Sequence, residues 1–143
     1  MTLRYLLDTS IVSSPVSKEP GSEIIKQLEK RGHECAIGAP VWHELTYGCH
    51  RLPRGKRRTA LETYLEEVIR PSFTVLPYDE AAAAWHGRER ARLEGLGRPA
   101  PYVDGQIAAI AYANDLILVT ANTRDFAPFK DLQLENWSKP RAR

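Results

Sequence analysis

Cysteine is scarce in this chain. Two thiols, Cys35 and Cys49, among 143 residues are too few for a disulfide framework. They read as interior thiols rather than as a redox pair. No basic start leads into an apolar signal core, and no apolar run is long enough to span a bilayer. The expectation is a soluble cytoplasmic protein with no membrane partner. Internal repeats and low-complexity tracts are missing as well, which excludes solenoids and disordered linkers. Charge of one sign is not in excess. Lys and Arg number 20 against 18 Asp and Glu, a formal net charge of +2. That balance gives no argument for nucleic acid by itself, so the distribution of charge has to carry any such argument.

What is present is an ordinary core: 43% of the residues are hydrophobic, enough for one globular domain. The expected division is a single domain over 1–138 and a basic, frayed tail over 139–143. Short apolar runs alternate with helical patterns. Leu3 to Asp8, Cys35 to Ile37, Phe73 to Leu76, Leu116 to Thr120 and Leu132 to Leu134 read as strands. Glu19 to Arg31, Pro40 to about Leu52, Arg57 to Ile69, Glu80 to about Glu94 and Asp104 to Asn114 read as helices. In the third of these, Leu61, Tyr64, Leu65 and Val68 should face inward, and Pro71 should end it. Asp79 should cap the fourth. This alternation predicts an α/β fold, a mostly parallel sheet with helices on both faces.

Carboxylates fall at matching places in that pattern. Asp8 closes the first strand. Glu44 lies near the start of the helix after the second. Asp104 opens an alanine-rich helix behind the Gly/Pro loop 95–101, and Asn122 and Asp125 follow the strand that ends at Thr120. In a parallel sheet these positions share the carboxyl edge, where open α/β folds bind ligands. Any one of these acids alone reads as a helix cap or a solvated surface group. As a set they repel one another, and a hard divalent cation with oxygen ligands is the usual resolution. Such an ion suits phosphodiester hydrolysis.

Other motifs carry less. His43-Glu44 begins like a zinc HExxH motif, but position 47 is Tyr. His33, His50 and His86 lack ligand spacing and read as surface residues. Trp42, Trp85 and Trp137 read as packing. Basic residues cluster at Arg51, Arg54, Lys56, Arg57 and Arg58, and again at Arg88, Arg90 and Arg92, with Arg98 in the loop before Asp104. A solvated helix face explains such clusters in most proteins. Beside an acidic site they have a second use, neutralising phosphates that the carboxylates would repel. On that ground Arg98, Arg51, Arg54 and Lys56 are candidates for binding a phosphodiester substrate.

Taken in order, several segments resemble a known family. They are Tyr5-Leu6-Leu7-Asp8-Thr9-Ser10-Ile11-Val12, Val41-Trp42-His43-Glu44-Leu45, Gly97-Arg98-Pro99, Asp104-Gly105-Gln106-Ile107-Ala108-Ala109, Leu118 to Phe126 and Glu135-Asn136-Trp137. Together they resemble the PIN-domain ribonucleases, specifically the VapC-type toxins of toxin–antitoxin pairs, over nearly the whole chain. The resemblance implies a Rossmann-like PIN fold and a Mg²⁺- or Mn²⁺-dependent endoribonuclease that cuts structured RNA such as transfer or ribosomal RNA. It implies hydrolysis that leaves a 5′-phosphate and a 3′-hydroxyl, a cognate VapB-type antitoxin and a homodimer. It carries metal-binding roles onto Asp8, Glu44 and Asp104, with Thr9, Ser10, Thr120 and Asn122 as supporting polar groups.

Two departures from the family pattern stand out. Ser10 replaces an asparagine that usually follows the Asp-Thr pair; serine can still donate to a carboxylate. Neutral Asn122 stands where a fourth acid often falls, so Asp125 becomes the candidate for that role and one ion is favoured over two. Two other readings remain. A metal-dependent phosphatase on a similar fold usually has a second Asp two residues after the first, where this chain has Ser10. A non-catalytic metal-binding regulatory module would use the same acids without cutting RNA.

Overall fold

The computed structural model describes residues 2–138. The tail expected over 139–143 lies outside the described residues. Strands β1 (Tyr5–Leu7), β2 (Cys35–Gly38), β3 (Thr74–Leu76), β4 (Ile117–Val119) and β5 (Leu134–Glu135) form one sheet in the order β3-β2-β1-β4-β5. Every pairing in it is parallel. Residues of β1 are buried without alternation, as expected of a central parallel strand covered on both faces. Tyr5 pairs with Cys35 on one side and Ile117 on the other, so β1 is the axis of the sheet.

Helices fill the crossovers: α1 (Thr9–Val12), α2 (Ser22–Arg31), α3 (Ala39–His50), α4 (Lys56–Tyr64), α5 (Arg70–Ser72), α6 (Glu80–Gly95), α7 (Tyr102–Ala113) and α8 (Thr123–Phe126). The core between them and the sheet is built from Leu6, Leu7, Ile11, Ile37, Val41, Ile107, Ile110, Leu118 and their neighbours. Trp85 stacks on Tyr112, and Trp137 meets Tyr5 edge-on at 5.1 Å. Both tryptophans are packing residues in this arrangement. No helix among the described residues is long and apolar enough to cross a membrane.

The structure corrects several expectations. The segment read as one helix over 57–69 passes from α4 into a π-helical turn, Leu65–Ile69, and continues through Pro71 to Ser72. The wider turn rotates the remaining residues, so Val68 faces solvent along a groove with Ile25, Leu28 and Phe73 instead of pointing inward. The second helix starts at Ser22, not Glu19. Asp104 is the third residue of α7, not its first, because the helix begins directly after Pro101. Pro101 has the extended backbone of a helix cap.

His86 is not a surface residue. It is 4% exposed, on α6, with its Nδ1 2.9 Å from the Tyr78 hydroxyl and its ring against Tyr102. Its edge fills a notch in α7 that only glycine can leave open. A Cβ on Gly105 would stand 2.0 Å from His86 Nε2. Burial, and then the nearby Arg90 charge, lower the His86 pKa, so the ring packs as a neutral imidazole. A buried histidine thus sets how closely α6 approaches the turn that carries Asp104.

Candidate active site

Asp8 leaves β1 at the carboxyl edge and caps α1. It is 8% exposed, and burial of a charge there demands partners. The chain supplies three donors. Thr9 N donates to Oδ1 at 2.8 Å. Thr120 Oγ1 and Ser10 Oγ donate to Oδ2 at 2.8 and 3.2 Å. Thr120 is fully buried at the end of β4, and its oxygen also accepts from Asn122 N at 3.0 Å. Ser10 Oγ in turn accepts from Ala121 N at 3.2 Å. The short serine therefore ties the β1 end to the β4 end through its own hydroxyl.

Glu44 lies on α3, half-buried, one turn and a half in from the end of β2. Its Oε2 accepts from Thr9 Oγ1 at 3.3 Å, so Thr9 serves Asp8 with its backbone and Glu44 with its side chain. Asp104 comes from the first turn of α7, a helix that packs against α3 and the end of β2. Its carboxyl is pushed up to about 6, first by burial, then by the charges of Asp8, Asp125 and Glu44. That dependence on three acids from α1, α3 and α8 segments shows that the fold gathers them. Asn122 precedes α8 with an exposed side chain that caps nothing, whereas Asp125 contributes to the field at Asp104.

The acids gather without converging. Among the described residues, no three His, Cys, Asp or Glu side chains close into a ready-made metal cage. A magnesium-like ion does not need one: it takes one or two carboxylates directly and keeps its own waters for the rest. The donor set of Asp8, Glu44, Asp104 and Asp125 is entirely hard carboxylate oxygen, and its like charges add up at Asp104. Those two properties fit a hard divalent cation and exclude a zinc-type nitrogen and sulfur site.

The basic candidates divide into two groups. Arg51 and Arg57 line a cleft that also contains Thr9 and Glu44; Arg54 and Lys56 are exposed but outside it. Arg58 is engaged by Glu62 at 2.9 Å and by the Leu52 carbonyl. On the opposite flank Arg98 shares a cleft with Arg124 and Asp125. Arg124 received no role from the sequence, since one arginine in a four-residue helix has no pattern to mark it. Arg90 and Arg92 are committed within α6, to Glu94 and Glu89. Glu89 is buried and holds Arg92 bidentately while accepting from Lys130 N; Arg92 also donates to the Pro128 carbonyl. This cluster staples the segment after α8 to α6, and with it the position of Asp125.

Residues 5–132 match the family model described as PIN domain. The chain belongs to the PIN-domain family. Within it, the chain is 34% identical over 137 residues to a tRNA(fMet)-specific endonuclease VapC of Shigella flexneri, covering 95% of this chain and 99% of that one. Among solved structures, FitAB bound to an IR36 DNA fragment superposes with a TM-score of 0.88 at 27% identity, over 97% of this chain and 99% of that one. DNA-bound VapBC from Salmonella typhimurium follows with a TM-score of 0.81 at 28% identity, over 95% and 99%. The chain is thus a PIN-domain protein of the VapC ribonuclease type, with the parallel α/β sheet that the alternating pattern predicted.

Proposed function

We propose that this protein is a divalent-metal-dependent endoribonuclease, the toxin of a toxin–antitoxin pair, formed by one nuclease unit over residues 1–138. The observation that carries the reading is the gathering of Asp8, Glu44 and Asp125 around the half-buried Asp104, whose carboxyl is pushed up to about 6 first by burial and then by those three charges. A bound Mg²⁺ or Mn²⁺ would lower the pKa of the attacking water and offset the negative charge of the phosphate. Asp8 and Asp104 would be its direct protein ligands. Asp8 is orientated for this by Thr9, Ser10 and Thr120, so that it holds one geometry before anything binds. Glu44, steadied by Thr9, would bind through water or position the attacking water, and Asp125 would occupy the far side in place of neutral Asn122. In-line hydrolysis then leaves a 5′-phosphate and a 3′-hydroxyl.

The substrate class is structured RNA, transfer or ribosomal. The partner is a small VapB-type antitoxin that enters the acidic cleft with an arginine or an apolar segment, and the toxin pairs as a homodimer in the cytoplasm. Relatives solved as toxin–antitoxin assemblies support the partner. The phosphatase reading loses ground to Ser10, which ties two strand ends together and supplies no second carboxylate.

The test uses total cellular RNA with Mn²⁺ or Mg²⁺, and the Asp8→Ala and Asp104→Asn proteins alongside. Cleavage should require the metal and vanish in both variants. The same RNA pattern from all three proteins, or indifference to EDTA, overturns the reading. Release of phosphate from a small phosphomonoester without RNA cleavage would select the phosphatase instead.

A further inference from the structure

The two arginine-bearing clefts lie on opposite sides of Asp8. The sheet order places β2, and α3 behind it, on one side of β1, and β4 with α8 on the other. On the β2 side, Arg51 and Arg57 share a cleft with Thr9 and Glu44. On the β4 side, Arg98 and Arg124 share one with Asp125. Most other arginines of the surface helices are spent on neighbours: Arg58 on Glu62, Arg70 on Glu66, Arg90 on Glu94 and Arg92 on Glu89. Arg57, Arg98 and Arg124 are exposed, and among the described residues none of them is in an ion pair. Arg51 rests over the Tyr47 ring, 5.9 Å from its centre, and is held without being neutralised.

An acidic centre with an uncommitted cation on each side suits a chain of negative charges that must cross it. The carboxylates repel a phosphate that approaches without a cation, and guanidinium groups on the flanks can hold its neighbours by paired hydrogen bonds. We propose that Arg57 on the β2 side and Arg124 on the β4 side, supported by Arg51 and Arg98, bind phosphates of one RNA strand that flank the phosphodiester at the carboxylates. This rests on the ribonuclease reading and adds to it the path of the substrate: along the carboxyl edge, from the α3–α4 cleft, over Asp8, to the α7–α8 cleft. Arg54 and Lys56, although in the same basic run as Arg57, lie off this path.

Binding tests the path separately from cleavage. The parent is Asp104→Asn, which removes one acid and the cutting of the probe. A fluorescein-labelled single-stranded RNA of about twelve nucleotides is titrated with protein in Mg²⁺ across a salt series, and anisotropy is read. Arg57→Ala and Arg124→Ala, each added to the parent, should weaken binding about five- to tenfold at fixed salt. Each should also reduce the slope of log K against log salt by about 0.7, the increment for one phosphate contact on a single strand, and the double variant by about twice that. Lys26→Ala, an exposed lysine on α2 paired with Glu23, is the charge-matched control and should change neither. Unchanged affinity and slope in both arginine variants, or an equal loss in the lysine control, overturns the path. The wild-type cleavage assay stands apart: its failure removes the ribonuclease, while the anisotropy still decides whether these clefts bind RNA.

Discussion

Asp8 and Asp104 reach the same site from different elements, the end of β1 and the first turn of α7, and the fold treats them differently. Asp8 is buried and accepts from a backbone amide and two hydroxyls. Asp104 is half-buried, accepts no hydrogen bond from the described residues, and is pushed up to about 6 by burial and three neighbouring acids. One carboxylate is paired by the protein itself. The other has no donor among the described residues. On the metal-dependent reading proposed above, the β1 half would be prepared before an ion binds and the α7 half would be completed by it, so that a rigid site would still have affinity left for a cation.

The largest effect expected from breaking the comparison is on cleavage, where the two halves should look alike. Asp8→Ala and Asp104→Asn should each lower RNA cleavage by more than about a hundredfold at saturating Mn²⁺, since even groups that only support a metal ligand are worth roughly ten- to hundredfold. A variant that kept a tenth of the wild-type rate would mean that its half of the site is dispensable. Next comes the support of Asp8. Thr120→Val keeps the shape and removes the hydroxyl that donates to Asp8 and accepts from Asn122 N. Metal affinity, followed by calorimetry, should fall about tenfold to a hundredfold. Asp104 has no counterpart to test, because no described residue donates to it. An unchanged affinity in Thr120→Val would make Asp8 no better prepared than Asp104.

Gly105→Ala probes the α7 half through its packing. The new methyl would meet His86, which is fixed by Tyr78 and by its own burial, so α6 and α7 must separate. Overpacking of this kind costs about 1–3 kcal/mol, read as a lower midpoint in chemical denaturation. His86→Ala combined with Gly105→Ala should recover part of that loss, because the methyl then has room. If the pair is simply additive, the notch is not what sets the spacing of the two helices.

Much of this arrangement was legible in the chain, and the limits have physical reasons. The alternation of apolar runs with helical patterns is a local signal, and it sufficed for the parallel sheet. Its edges were not local: the apolar run starts at Leu3, whereas bonding to the neighbours starts at Arg4 and the paired register at Tyr5, opposite Cys35 and Ile117. The π turn at Leu65–Ile69 leaves no mark in spacing, so Val68 was assigned to the wrong face. Pro101 marks the start of α7 at Tyr102, two residues ahead of where the alanine-rich pattern and Asp104 suggest it. His86 was opaque for another reason. Its burial depends on a glycine nineteen positions away on a different helix, and nothing near His86 announces that notch. The acids were readable as a set because strand ends converge in a parallel sheet. The choice between Asn122 and Asp125 was not, since it turns on how α8 sits, and that is fixed by Glu89 and Arg92 from α6.

The smallest effect is also the most direct measure of the difference between the two acids. Without metal, Asp104 has a raised pKa in the folded protein, about 6 against 3.8 for a free aspartate side chain. Between those values the folded state binds the proton that the unfolded state has released, so stability falls as pH rises. This contribution is fully present below about pH 4 and is lost as pH climbs through 6. Asp104→Asn removes the titration. In EDTA, the variant should melt higher than the wild type at pH 7.5, by a few degrees, and the gap should close toward pH 4. Carboxylates remote from the site shift both proteins together and cancel, so the difference reports Asp104 together with the three acids that feel its charge. Asp8→Ala should act in the opposite sense, melting below the wild type at pH 7.5, because it strands the buried Thr120 hydroxyl. Saturating Mg²⁺ should then reverse the order of wild type and Asp104→Asn, since only the wild type keeps the carboxylate that the cation stabilises. A gap that stays constant from pH 4 to 7.5 would leave Asp104 as an ordinary surface acid, and the distinction between a prepared half and an unfinished half of the site would fall with it.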